Sequence, residues 1–134
     1  MNREQRFERG LKVLQQIDPA AGQKIVDALA DVSPELSHQV VAWVFGEMYA
    51  RPGLPPRDRQ LITLGILTAL GGCETELHIH INAALNVGLT PAEITETLLH
   101  SAVYCGMPRA LNGTFVAEKV FAERGLLPVV DAMA

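Results

Sequence analysis

Proline and glycine punctuate this chain at short intervals, and between the breaks the apolar residues recur at helical spacing. The breaks are Asp18-Pro19, Ser33-Pro34, the run RPGLPP over 51–56, Gly71-Gly72, Gly88 with Thr90-Pro91, Gly106 with Pro108, and Gly125. Proline lacks the amide proton a helix interior needs, and glycine loses the most backbone freedom on ordering, so both mark the ends of elements. Between them, Phe7, Leu11, Leu14 and Ile17, or Leu36, Val40, Val44 and Met48, stand three and four apart on one helical face. No run alternates with the period of a strand. The pattern therefore predicts an all-α fold of about seven helices in a single domain, 1–134.

The expected helices cover 3–17, 19 to about 30, 34 to about 50, 57–70, 73 to just before Gly88, 91–105, and a last one reaching about Arg124. Asp18 is expected to cap the second, with Pro19 at its first position. Thr90-Pro91-Ala92-Glu93 reads as a capping box with proline at the first helical position. The helix from Arg57 is almost wholly apolar after Gln60, which predicts burial on all sides. The tail 126–134 is expected to be loose.

Net charge is −4, with no cluster of Lys or Arg, which argues against nucleic acid or an anionic membrane as partner. No apolar run is long enough to span a bilayer, and MNREQRFERG carries charge with no apolar stretch behind it, so neither a membrane segment nor a signal peptide is expected. Cys73 and Cys105 form no CxxC pair, which suits a reducing, cytoplasmic setting. The hydrophobic share is 49% and the charged share 19%, the latter below the roughly 25% usual for globular domains. That surplus of apolar surface on a short chain points to a homo-oligomer.

Chemistry concentrates in LGGCETELHIHINAALNVG, residues 70–88. On a helix opening at Cys73, Glu76 and His80 follow at i+3 and i+7, so at about 100° per residue all three project within about 60° of one another. Leu77, Ile81, Ala84 and Leu85 form the adjoining apolar stripe, which places the polar trio at the rim of a buried face. His78 lies about 160° from His80, so the two cannot share a metal in the manner of HExxH. With the remaining histidines at His38 and His100, the spacing closes no metal site, and no cofactor is expected. The same residues have a plainer reading, an exposed Glu/His helix pair beside a small buried thiol.

Several ordered stretches carry a resemblance. FGEMYARPGL from Phe45, then RDRQLITLGILTALG, ELHIHINAALNVGLTPAEI and LLHSAVYCGMP, with QRFERGLKV before them and PRALNGTF after, resemble the γ-carboxymuconolactone decarboxylase family, relatives of the alkylhydroperoxidase AhpD. The resemblance covers most of the chain. It implies an AhpD-like helical fold assembled as trimers or trimer-based hexamers, and a catalytic histidine and glutamate at His80 and Glu76. In the peroxidase branch two cysteines would fall at Cys73 and at residue 76, which here is Glu. The decarboxylase motif usually carries Arg two places after its histidine, where this chain has Asn82.

Three functions follow. The first is a lyase removing CO2 from a small lactone or β-keto-type carboxylic acid, with His80 as general acid oriented by Glu76. Arg51 and Arg59 are candidate clamps for a substrate carboxylate, and His100, Tyr104 and Asn112 candidate pocket residues. Glu47 is read as the ion-pair partner of Arg51. The second is an AhpD-like thiol peroxidase or disulfide reductase built on Cys73, which requires a resolving thiol. The third is an oligomeric scaffold that kept the fold and lost the chemistry.

Overall fold

The computed structural model describes residues 1–131 and 133, and among these every regular element is helical. The helices are α1 (Arg3–Ile17), α2 (Ala21–Leu29), α3 (Pro34–Gln39, running on as a π-helix over Val40–Met48), α4 (Pro56–Leu70), α5 (Glu74–Asn86), α6 (Pro91–Cys105) and α7 (Met107–Glu123). The all-α expectation holds, and the boundaries agree to within a few residues. The chain divides into two compact units, Met1–Pro56 and Arg57–Ala134.

In the first unit, α1 opens on a reciprocal cap: Asn2 Oδ1 accepts from the Gln5 amide at 2.9 Å and Gln5 Oε1 from the Asn2 amide at 3.0 Å. α1 packs directly on the π-helical part of α3, and two glycines make that approach possible. A Cβ on Gly10 would lie 1.9 Å from the Val41 carbonyl oxygen, and one on Gly46 would lie 2.8 Å from that of Arg6. Beside this crossing Glu47 accepts from Arg6 Nη1 at 3.2 Å, an interhelical pair. α2 begins two residues later than expected, at Ala21; Asp18 Oδ1 accepts from the Ala20 amide at 3.2 Å and so turns the chain ahead of the helix.

The second unit packs α4–α7 around Leu64, Leu77, Ile81, Ile94, Leu98 and Phe121. α4 corrects one expectation. Only Gln60, Leu64 and Thr68, at i, i+4 and i+8, are fully buried on it, while Ile62, Ile66 and Leu70 are 48%, 54% and 62% exposed. The helix is apolar on two faces, but the core of this unit reaches one of them.

Gly71 and Gly72, with φ of 70° and 72°, turn the chain out of α4, and Arg109 Nη1 donates to the Ala69 carbonyl at 3.0 Å to close that end. The Thr90/Glu93 box forms as read, with both hydrogen bonds at 3.1 Å, and Glu93 also pairs with Arg57. The tail is less loose than expected, since Leu126 and Val129 pack against the core; Ala132 and Ala134 lie outside the described residues. No helix among the described residues is long and apolar enough to cross a membrane.

Candidate active site

Helix α5 carries Leu77, Ile81 and Ala84 into the core, and the side chain that follows that stripe at its edge is His80. The ring is half-buried, and its Nδ1 stands 3.0 Å from the side-chain oxygen of Gln60 on α4. Gln60 itself is fully buried, at the head of the Gln60/Leu64/Thr68 stripe. Burial holds the His80 imidazole below its usual pKa, and the negative charge of Glu76, one turn earlier, acts against that shift. Glu76 is exposed, and the hydrogen bond that orients the ring comes from Gln60.

Cys73 is the N-cap residue of α5, half-buried, with Sγ 3.6 Å from the Gly71 carbonyl oxygen. Cys73 and Cys105 are both free thiols. Arg59 precedes Gln60 on α4 and is half-buried, whereas Arg51 is exposed in the loop after α3, in the first unit.

His100 and Tyr104 stand one turn apart on the outer face of α6, ring centroids 5.6 Å apart and tilted by 53°. His100 lines an open groove of about 820 Å³ between α4 and α6, with Ile62, Ile66 and Thr97 among its walls. Asn112 belongs to another groove, of about 670 Å³, between α5 and α7. Neither groove is lined by His80. The chain thus brings Gln60, Glu76 and His80 together and sets the α6 pair elsewhere in the same unit.

Two residues of the motif stretch take structural duties. His78 Nε2 pairs with Glu123 at 3.3 Å. Asn82 donates from Nδ2 to the His78 carbonyl at 3.0 Å and accepts from Arg124 Nη1 at 3.2 Å, so a guanidinium does stand beside position 82, supplied from the end of α7. Among the described residues no three His, Cys, Asp or Glu side chains gather as metal donors.

Sequence reasoning missed Gln60. The signal available was its register: Gln60 shares a helical face with Leu64 and Thr68, so if that face is the buried one the amide must find a partner there.

A half-buried imidazole, held by an amide and biased by a carboxylate, has the chemistry that proton transfer requires. The chain belongs to the carboxymuconolactone decarboxylase family, whose model matches residues 34–119. It is 36% identical over 132 residues, 96% of both chains, to the 4-carboxymuconolactone decarboxylase of Acinetobacter baylyi. It is 34% identical over 116 residues, 84% of this chain and 79% of the other, to the nitrosuccinic acid decarboxylase of Metarhizium robertsii.

Proposed function

We propose that this protein is a decarboxylase acting on a small carboxylic acid, of the lactone or β-keto type, with His80 delivering the proton to carbon. The observation that carries the reading is the His80 site itself, in a family whose similar members from a bacterium and a fungus are named as decarboxylases. Loss of CO2 breaks a carbon–carbon bond and leaves its electron pair on the substrate, where a neighbouring carbonyl takes it up as an enolate. Carbon must then receive a proton. In the empty site burial favours neutral His80, and a bound carboxylate reverses that preference by drawing a proton onto the ring. The imidazolium so formed is the acid, and solvent reprotonates it after each turnover. Arg59, beside Gln60 in the chain, is our candidate holder of a second substrate carboxylate.

The thiol reading has less support, because residue 76 is Glu and the two cysteines are not bonded to each other. We read the two units as one functional domain, since the family match runs through both. The exposed stripe Ile62/Ile66/Leu70 supports a homo-oligomer, a trimer or trimer-based hexamer, and the absence of a CxxC pair is in keeping with the cytoplasm.

The test is turnover of 4-carboxymuconolactone by purified protein, followed as CO2 release. His80→Ala should lower kcat by about 100-fold or more, the usual loss on removing a positioned acid, with the helical content intact. An active enzyme whose His80→Ala variant keeps the parent rate removes His80 from the chemistry. Wild-type inactivity on this lactone removes that substrate.

A further inference from the structure

Gln60 is a costly residue for its place. Its side chain is completely buried, on a helix that otherwise turns Leu64 and Thr68 to the core, and its amide Nε2 has no hydrogen-bond partner among the described residues. An unpartnered buried amide donor is unfavourable, and an aliphatic side chain would fill the position without that penalty. What an aliphatic residue cannot supply is the oxygen that stands 3.0 Å from His80 Nδ1.

With the Gln60 oxygen turned toward the ring the amide only accepts, and that orientation assigns the proton in the contact to Nδ1 of the imidazole. In the neutral ring Nε2 is then the nitrogen with the lone pair, on the side of the ring away from Gln60. The amide also lacks a titratable proton, so it can hold the ring without competing for the proton in transfer.

We propose that Gln60 is a positioning residue that selects the Nδ1–H tautomer of His80 and thereby makes Nε2 the nitrogen that exchanges protons with substrate. Glu76 sets only the charge around the ring, from an exposed position. The division of labour is between one residue that fixes the ring's orientation and another that biases its charge. The inference rests on the decarboxylase reading for its consequence in turnover, but the tautomer itself is a property of the protein without substrate.

The experiment is long-range ¹H–¹⁵N NMR of His80 in the substrate-free protein at a pH where the ring is neutral, for wild type, Gln60→Met and Gln60→Glu. Wild type should show Nδ1 protonated and Nε2 bare. Gln60→Met, close in volume and lacking the acceptor, should move the ring toward the Nε2–H form and lower kcat about tenfold or more while KM stays within about twofold. Gln60→Glu restores an acceptor and should keep Nδ1 protonated, but its charge should push the titration of the ring upward. A wild-type ring protonated on Nε2, a Gln60→Met ring unchanged from wild type, or a Gln60→Glu ring that titrates where the parent does would each overturn the proposal. If the tautomer switches as described while no carboxylic acid is turned over, the positioning role stands and the decarboxylase reading fails.

Discussion

Gly10 of α1 lies so close to Val41 of α3 that a single added carbon would stand 1.9 Å from the Val41 carbonyl oxygen. Backbone cannot yield as a flexible side chain does, so the first unit owes its tightest crossing to the absence of one methyl group. Gly10→Ala gains intrinsic helix propensity, worth about 1 kcal/mol, and should still lose stability by about 2 kcal/mol or more through the clash. Gly53, with nothing within 4 Å of its Cβ position, is the control, and its alanine variant should stay within about 0.5 kcal/mol of the parent in urea unfolding.

The pH dependence of kcat/KM should report His80. If the free enzyme must take up a proton at encounter, activity is full at low pH and falls as pH rises through a pKa below the ordinary imidazole value, because burial lowers it. Glu76 partly offsets that lowering, so Glu76→Gln should start the fall at still lower pH. Folding stability runs the other way: the unfolded ring protonates first, so stability is lost as pH drops from above the usual imidazole range toward the folded value. A limb that does not move in Glu76→Gln would assign it to another group.

Cys73 is offered no part in the decarboxylation. Cys73→Ser should therefore keep kcat within about twofold and leave peroxide consumption at the buffer rate in both proteins. Loss of turnover in this variant, or peroxide removal by wild type that the variant lacks, would return the thiol to the mechanism.

Ile66, at the middle of the exposed stripe on α4, should lie in a subunit contact. Light scattering of wild type should give a multiple of the 14.5 kDa chain, and Ile66→Glu should shift it toward the monomer by burying an unpaired charge. A wild-type monomer at micromolar concentration would contradict the assembly.

The helices were legible because their ends are written locally: Thr90 and Glu93 three residues apart, or Gly71-Gly72 after a long apolar run, act within one turn of themselves. The face of α4 that would be buried was not, since Ile62 and Leu64 are equally apolar and only the packing of α5–α7 chooses between them. At the site, Glu76 and His80 could be placed on one face from spacing alone. Gln60 could not be joined to them, because its bond to His80 crosses between two helices, a relationship that periodicity does not encode.

Arg124 ends α7 and reaches back to the last turn of α5, donating to the Asn82 carbonyl at 3.3 Å and to the side-chain oxygens of Asn82 and Asn86 at 3.2 Å. The C-terminal ends of two helices therefore converge on one guanidinium. Each end carries a partial negative charge from its unpaired carbonyls, and left alone the two would repel. The guanidinium of Arg124, carried in from the end of α7, sets a positive charge against the C-terminal turn of the histidine-bearing helix, where the macrodipole favours a cation.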